Sequence, residues 1–269
     1  MIIGSVCENK DTEKRISVTP ENVKKFISNG FKVYLEKNYA EHLEINDEKF
    51  SENGAEFFSD KEKIIKDSDI LLQLNLPVED DLKILSPNKN LIGVFDPTNN
   101  KEIISKLSGN NINVFSLELL PRITRAQSMD ILSSQANLAG YKAVIDAFSF
   151  FNKAIPMMMT AAGTIPAAKV LIVGAGVAGL QAIATAKRMG AIVFATDVRM
   201  ASKEQVESLG GKFLVVEGSE NLETSGGYAK ETSEEFKKKQ EDLLTETLKK
   251  IDIVVCTALI PGKKAPVII

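Results

Sequence analysis

The chain has 269 residues, of which 44% are hydrophobic and 26% charged, so its composition favours ordered domains with substantial cores over disorder. Its formal net charge of −3 and the lack of a basic block argue against nucleic acid as a partner. The N-terminal apolar run is too short for a signal peptide and no stretch reaches the roughly 18 apolar residues of a membrane span, so we expect a soluble chain that could dock on a membrane partner.

The first half of the chain alternates short apolar runs with helical patterns. Thr19 and Pro20 supply an N-cap and a first-turn proline, and Gly30 is placed to end the helix that they begin. Strands are predicted at residues 2–7, 32–35, 70–74, 91–95 and 114–117. This alternation predicts a parallel, doubly wound sheet, and no glycine-rich phosphate loop occurs in this half.

The middle of the chain, residues 124–151, has a helical composition that only Gly140 interrupts, and Pro156 follows its end. We predict a loop and then a helix that connects two domains. The predicted domains are residues 1–138, an N-terminal Rossmann-like domain, and residues 139–269, a second Rossmann-like domain.

The second half of the chain gives the clearer pattern. Strands are predicted at residues 169–173, 192–196, 213–216 and 251–256. Helices are expected at residues 180–189 and 233–250, with a polar, glycine-containing loop at 217–232. A doubly wound dinucleotide domain usually has about six strands, so we expect this domain to be truncated at its C-terminal end. The predicted fold class is α/β, with two doubly wound Rossmann-like domains around a cleft.

A glycine motif lies between the predicted strand at 169–173 and the helix that follows it. Gly174 allows a tight turn, Gly176 lets the backbone approach a pyrophosphate, and Gly179 lets the helix pack closely on the strand. The helix N-terminus then offers free N–H groups to phosphates. The alternative is a glycine-rich turn in an unliganded domain, and the register of strand, loop and helix argues against it.

An acidic residue, Asp197, ends the next predicted strand about 20 residues further on, where it can accept hydrogen bonds from the ribose hydroxyls of an adenosine. Its charge would repel a 2′-phosphate, so the sequence favours NAD(H) over NADP(H). Arg199 leaves the second option open, because an arginine at this place can pair with that phosphate.

Acid–base candidates are scarce in this chain. Its one histidine, His42, lies in a polar segment and is predicted to be solvated rather than catalytic. The two cysteines, Cys7 and Cys256, form no C-x-x-C and are predicted to be reduced and buried. A zinc site is not expected, because only one histidine could join them. A hydride transfer from one nicotinamide to another moves no proton and needs no such residue, so the scarcity fits that reaction.

The segment RITRAQSMDILSSQANLAGY, residues 122–141, is dense in hydrogen-bonding side chains just before the connecting helix. From the residues alone, two interpretations stay open. One is a ligand site, and the other is a capped helix start with Arg122 and Asp130 as a surface ion pair.

This segment resembles the signature loop of the NAD(H)-binding domain I of proton-translocating NAD(P) transhydrogenases. RISVTPENVKKF, VGAGVAGLQAIATAKRMGA, TDVR and GGYAKE resemble motifs of the same family in the same order, so the resemblance covers essentially the whole chain. It implies that Arg122, Gln127, Asp130 and Ser133 surround the nicotinamide, with Gln127 reaching towards the partner nucleotide. It also implies that Tyr228 sits on a mobile loop, residues 217–232, that closes over bound nucleotide.

The nucleotide contacts predicted from the glycine motif and from the resemblance together lie between residues 122 and 228. They are Arg122, Gln127, Asp130, Ser133, Asn137, Gly174, Ala175, Gly176, Val177, Ala178, Gly179, Asp197, Val198, Arg199, Gly227 and Tyr228. The implied activity is Si-specific, proton-translocating transhydrogenation, a direct hydride transfer from NADH on this chain to NADP⁺ on a partner domain. The implied partners are an NADP(H)-binding beta subunit, a membrane-spanning domain and a second copy of this chain. The implied location is the cytoplasm, peripheral on the inner face of the cytoplasmic membrane.

Two alternatives remain at this point. Alanine dehydrogenase shares the RISVTPENV-like start and the glycine loop, but that class uses a lysine and a histidine. Gln73 stands where we expect the lysine, and no histidine occurs in LIGVFDPTNN, so the substitution argues against alanine oxidation. The other alternative is a non-catalytic NAD(H)-sensing domain, which fold analogy leaves open.

Overall fold

The computed structural model describes residues 1–121, 123–216, 234–259, 265 and 267–269. Their contacts divide the chain into two compact units, Met1–Asp130 and Ile131–Ile269. Each unit is a parallel sheet with helices packed against it. The predicted α/β class with two Rossmann-like domains is therefore confirmed.

The first unit contains a six-stranded parallel sheet. Its strands are β1 (Ile2–Ser5), β2 (Lys32–Glu36), β3 (Ala55–Phe58), β4 (Ile70–Leu72), β5 (Asn90–Gly93) and β6 (Asn113–Ser116). Its helices are α1 (Pro20–Ser28), α2 (Asp47–Ser51), α3 (Lys61–Asp67), α4 (Glu79–Ile84) and α5 (Lys101–Gly109), with 3₁₀ turns at Glu41–Leu43, Leu117–Leu119 and Thr124–Met129. The strand order β3-β2-β1-β4-β5-β6 reverses direction between β1 and β4, which opens a crevice at the carboxyl ends of those strands.

Helix α1 begins and ends as the sequence predicts. Thr19 Oγ1 accepts a hydrogen bond from the Asn22 backbone N–H at 3.3 Å, and the Asn22 side chain accepts one from the Thr19 N–H at 3.3 Å. This capping box uses asparagine in place of the usual glutamate or glutamine. Gly30 follows the helix with a φ of +83°, a conformation that glycine adopts without strain.

The second unit contains a four-stranded parallel sheet and a separate hairpin. Its strands are β7 (Met158–Thr160), β8 (Gly163–Ile165), β9 (Lys169–Val173), β10 (Ile192–Thr196), β11 (Lys212–Phe213) and β12 (Ile253–Cys256). Its helices are α6 (Ile131–Phe150), α7 (Val177–Arg188), α8 (Ser202–Ser208) and α9 (Glu234–Leu248). The sheet order is β11-β10-β9-β12, and β7 pairs antiparallel with β8 outside it. Val170, Ile172 and Val193 of the sheet pack with Ile183 of α7 and Val144 of α6 into one core.

Three predictions about elements and residues need correction. The sequence does not indicate β3, which is only four residues long, or any strand between Pro156 and residue 169, where the structure has the antiparallel hairpin β7–β8. It also predicted two buried cysteines, whereas Cys256 is exposed and Cys7 is only partly buried; both are free thiols. Cys256 is exposed because alternate side chains of β12 point to opposite faces, and only Ile253 and Val255 point into the core.

No helix in the described part of the chain combines the length and the apolar character that a membrane crossing requires.

Candidate functional site

The candidate site is built on the turn between β9 and α7. Gly174 adopts a φ of +97°, and its N–H donates to the Thr196 carbonyl at 2.8 Å. A Cβ on Gly174 would lie 2.9 Å from the backbone nitrogen of Ala258. Conformation and space both require glycine here, as predicted.

The other two glycines of the motif differ in what limits them. A Cβ on Gly179 would lie only 1.8 Å from the Gly174 carbonyl oxygen, so the close packing predicted for this helix and strand is present. A Cβ on Gly176 would meet a single described atom, Arg199 Nη2 at 3.9 Å. Among the described residues, nothing else fills the space in front of Gly176.

Gly176 is also the N-cap residue of α7 and, having no side chain, it cannot itself cap this helix start. The first N–H groups of α7 and its positive dipole end consequently point towards that open space. A glycine turn with an uncapped helix N-terminus is suited to hold a pyrophosphate. Val177 and Ala178, half-buried, form the first turn, and Ala175 is buried beneath the loop.

The Asp197 carboxylate anchors this loop from the end of β10. Its Oδ2 accepts the Ala175 N–H at 2.7 Å and Arg199 Nη2 at 2.8 Å. Its Oδ1 accepts the Arg199 backbone N–H at 2.8 Å and Arg199 Nε at 2.9 Å. Val198 lies half-buried between the two charged residues. The sequence analysis placed Asp197 and Arg199 near the adenosine but did not predict that they bind each other.

Burial of the Asp197 side chain acts to raise the pKa of its carboxyl group. The hydrogen bonds from Arg199 and from the Ala175 N–H act in the opposite direction and outweigh burial, so the pKa lies below its ordinary value. Asp197 is thus ionised at neutral pH although only 6% of its side chain is exposed.

Two residues that the sequence analysis did not assign also shape the loop. Thr257, just after β12, donates its hydroxyl to the Gly174 carbonyl at 2.9 Å. Gly140 of α6 faces α7 so closely that a Cβ there would lie 2.0 Å from the Ala178 carbonyl oxygen. The sequence could have indicated Thr257, because this residue directly follows a predicted parallel strand. It could not have indicated the role of Gly140, which depends on a contact between two helices.

The predicted nicotinamide residues fall on two elements. Gln127 and Asp130 belong to the first unit, where they line a depression of about 230 Å³ together with Pro121, Ile123, Thr124 and Ala126. Gln127 is exposed on the 3₁₀ turn Thr124–Met129, and the Asp130 N–H donates to its carbonyl at 3.2 Å.

Ser133 and Asn137 belong to the second unit, one turn apart on α6. Asn137 Nδ2 donates to Gln181 Oε1 of α7 at 3.3 Å, which links this part of α6 to the helix that follows the glycine loop. Arg122, Gly227, Tyr228 and the predicted loop at 217–232 lie outside the described residues.

Gln73 sits in the crevice of the first unit and is almost completely buried. Its Oε1 accepts the Val6 N–H at 2.9 Å, and its Nε2 donates to Glu8 Oε1 at 3.2 Å. Glu8 Oε1 also accepts the Leu74 N–H at 2.6 Å. The side chain that stands in place of the expected lysine is therefore part of a closed polar network.

Comparisons with known proteins identify the family of this chain. The profile of the alanine dehydrogenase/PNT N-terminal domain matches residues 4–139, and that of the C-terminal domain matches residues 143–269. The chain is 48% identical to an NAD(P) transhydrogenase subunit alpha polypeptide of Rhodospirillum rubrum, over 97% of this chain and 70% of that protein.

More distant and structural relatives complete the pattern. The crystal structure of transhydrogenase from Sinorhizobium meliloti superposes with a TM-score of 0.85 at 44% identity, over 99% of this chain and 72% of that chain. Alanine dehydrogenase of Mycolicibacterium smegmatis is 25% identical over 99% of this chain and 67% of that protein. The similarity to the transhydrogenases is thus much the stronger.

Proposed function

The chain belongs to the alanine dehydrogenase/PNT family, on its NAD(P) transhydrogenase side, and we propose that it is the NAD(H)-binding component of a proton-translocating transhydrogenase. In this proposal it passes a hydride from NADH to NADP⁺ on a partner domain. The observation that carries it is the glycine loop at the N-terminus of α7, with an open space at Gly176 and the ionised Asp197 beside it.

The residues present fit a dinucleotide. The absent Cβ of Gly176 and the uncapped start of α7 are suited to a pyrophosphate, and Asp197 with Arg199 occupies the place where an adenosine ribose is recognised. Bound NADH supplies the hydride. The chain itself binds, orients and positions, so its contribution is proximity rather than acid–base chemistry.

Alanine oxidation fits less well. A lysine at position 73 would replace an amide that accepts the buried Val6 N–H and donates to Glu8. In this chain that position holds an amide whose hydrogen bonds are made within the fold. Sequence identity points the same way, since it is 25% to the alanine dehydrogenase of M. smegmatis and 48% to the transhydrogenase subunit of R. rubrum.

Gln127 is the residue that we propose bridges the two nicotinamides. It is exposed on its turn, and its amide carries both a donor and an acceptor. Direct transfer requires the reacting atoms to approach to about 3–3.5 Å, so a small loss of reach should slow it strongly.

The test compares Gln127→Asn with the wild-type chain in stopped-flow hydride transfer to NADP⁺ held by the reconstituted partner. We expect the rate to fall by about tenfold or more, on the order of 1.4 kcal/mol in the barrier, with little change in the Kd for NADH. Gln205→Asn, at an exposed position on α8, is the matched control and should transfer at the wild-type rate.

Three outcomes would count against this assignment. A wild-type rate in Gln127→Asn, or a loss that weaker NADH binding fully accounts for, would make Gln127 a structural residue. NADH binding without any transfer in the reconstituted wild type would favour the NAD(H)-sensing alternative.

The partners and the location follow from the same proposal. The name of the R. rubrum relative, an alpha subunit, designates one component of a larger assembly. We propose an NADP(H)-binding beta subunit and a membrane-spanning domain as partners, which place this chain in the cytoplasm on the inner face of the cytoplasmic membrane.

A homodimer is the remaining element of the proposal, and an exposed apolar hairpin supports it. Met158 and Met159 of β7 and Ile165 of β8 are 42%, 84% and 37% exposed, and Phe150 at the end of α6 is 85% exposed. Exposed large apolar side chains of this kind are typical of a protein interface. Sedimentation equilibrium of Met159→Glu should show a shift towards monomer; an unchanged mass would separate the hairpin from dimer formation.

A further inference from the structure

The carboxylate of Glu8 is bound by donors that all lie just after β4. Its Oε1 accepts the Leu74 N–H at 2.6 Å, the Asn75 N–H at 3.4 Å and Gln73 Nε2 at 3.2 Å. Its Oε2 accepts Asn75 Nδ2 at 3.2 Å. Four donors from three consecutive residues thus converge on one carboxylate, and two of them are backbone groups. Proteins bind anions through convergent N–H groups of this kind.

These donors lie where an open α/β sheet usually binds a ligand. The strand order of the first sheet reverses between β1 and β4, and ligands of such sheets bind in the crevice at the carboxyl ends of the strands. Gln73 is only 4% exposed there, and its Oε1 is used by the Val6 N–H, so its Nε2 is directed at the carboxylate. The crevice therefore contains a fixed donor and not a side chain that reorients in water.

The two units place different residues at the same distance from their first strand. Glu8 is the third residue after β1, which ends at Ser5, and Gly176 is the third residue after β9, which ends at Val173. In the second unit this position has no side chain, and the turn is suited to the phosphates of a separate molecule. In the first unit it supplies a carboxylate. The first unit thus carries its own anion at the position where the second has none.

The segment that carries Glu8 is held by contacts on both sides of this residue. The Cys7 N–H donates to Glu36 Oε2 at 2.7 Å. Further along, Glu13 Oε2 accepts Asn75 Nδ2 at 3.4 Å. The backbone is therefore fixed near the end of β4, and the Glu8 carboxylate can leave its donors only by rotation of its own side chain.

We propose that the crevice of the first unit is a carboxylate-binding site that Glu8 occupies as an internal ligand. Glu8 then excludes small monocarboxylates, of which acetate is a simple example, because a second anion would compete for the same donors and be repelled by the first. The site is separate from the glycine loop, so this inference does not depend on the proposed function.

Removal of the internal ligand should open the site to an external one. Glu8→Ala leaves the four donors without their acceptor, so its thermal midpoint should lie below that of the wild type. Sodium acetate should raise the midpoint of this variant by about 3 °C or more relative to sodium chloride of equal ionic strength. The wild type should have the same midpoint in both salts, because Glu8 already occupies the donors.

Two matched variants show where acetate acts. Glu8→Gln removes the charge but keeps a side chain of the same length in the crevice, so acetate should not raise its midpoint. Glu102→Ala, at an exposed position on α5, removes a carboxylate from the surface of the same unit and should respond to neither salt. Titration of Glu8→Ala with isotopically labelled acetate, followed by nuclear magnetic resonance, should show saturable binding that the wild type lacks.

An equal response of the wild type and Glu8→Ala to acetate, or no response in either, would overturn the proposal. A response of Glu8→Gln as large as that of Glu8→Ala would overturn it as well, because acetate would then act elsewhere. If circular dichroism shows that Glu8→Ala does not fold in either salt, Glu8→Ser, which keeps a short acceptor, replaces it. A midpoint of Glu8→Ser that acetate leaves unchanged would then contradict the site.

Discussion

The two sheets share an arrangement around their first strand but differ in the turn that follows it. In each unit that strand lies between the second and fourth strands of its sheet, β2 and β4 around β1, and β10 and β12 around β9. After β1 the crevice is filled by the network of Gln73 and Glu8. After β9, the only described atom within 4 Å of the missing Cβ of Gly176 is Arg199 Nη2. Strand order supplies a crevice, and the first turn decides whether it binds a ligand.

The two turns also differ in how the hydrogen-bonding groups of their backbones are satisfied. In the first unit, side chains complete the bonding, since Gln73 accepts the Val6 N–H and Ser5 Oγ donates to the Leu72 carbonyl at 2.7 Å. In the second unit the N-cap residue of α7 is Gly176, which has no side chain with which to cap the helix. The N-cap residue therefore leaves the first N–H groups of α7 to other partners, which is the property that a phosphate site uses.

The largest expected effect concerns the turn that carries the ligand site. Gly179→Val should lower the free energy of unfolding by more than about 3 kcal/mol and abolish NADH binding, because even a Cβ would lie 1.8 Å from the Gly174 carbonyl oxygen. Denaturant unfolding and NADH fluorescence titration measure both. Gly109→Ala on α5, where no described atom lies within 4 Å of the new Cβ, is the control. A Gly179→Val variant as stable as the wild type would contradict the prediction, because it would show that the turn accommodates a side chain at this position.

The second prediction tests whether the other turn is structural. Gln73→Leu leaves the buried Val6 N–H without its acceptor, so we expect a loss of about 2 kcal/mol in the free energy of unfolding. NADH affinity should stay at the wild-type value. The exposed Gln205→Leu should change neither quantity. A fall in NADH affinity at unchanged stability would show that Gln73 contributes to NADH binding rather than to the stability of the fold.

A smaller effect tests whether the space at Gly176 is needed for ligand binding rather than for folding. Gly176→Ala adds a Cβ that meets only Arg199 Nη2 at 3.9 Å, so the thermal midpoint should stay that of the wild type. The new methyl would stand where a pyrophosphate approaches, and we expect the Kd for NADH to rise by about tenfold. Calorimetry of NADH binding beside a thermal scan gives both values. Equal affinities would mean that the open space is not the nucleotide site.

The smallest effect lies in the first unit and depends on pH. A hydrogen bond from Arg15 lowers the pKa of Glu13 from its usual 4.5 to about 2, against the effect of burial. Because the folded pKa is the lower one, this stabilisation is present above pH 4.5 and is lost as the pH falls towards 2. Glu13→Gln should therefore flatten the dependence of unfolding free energy on pH in that window. The exposed Glu207→Gln on α8 is the control, and parallel curves for wild type and Glu13→Gln would contradict the prediction.

The regions of the fold that the sequence predicted are those determined by local chemistry. The capping of α1 by Thr19, the turn at Gly174 and the acid at the end of β10 all depend on residues near one another in the chain. Strand β3 was missed because Glu56 interrupts its short apolar run, and the hairpin because its side chains face solvent rather than a core.

Within the site, the sequence identified residues but not their mutual contacts. Asp197 and Arg199 were both expected near the ribose, yet their pairing depends on how the loop after β10 folds back. Thr257 reaches Gly174 only because β12 lies beside β9 in the sheet, an adjacency that a linear pattern does not contain. The roles of Gln127, Asp130, Ser133 and Asn137 stay predictions.

The contact between Gly140 and Ala178 has a mechanical consequence. With no side chain at position 140, the backbones of α6 and α7 touch, and Asn137 and Gln181 are bonded one turn away. A close-packed pair of this kind resists sliding, because any shift brings backbone atoms into collision. We therefore expect the two helices to move together as one rigid body within the second unit. A displacement at the glycine loop would then also displace the turn of α6 that bears Ser133.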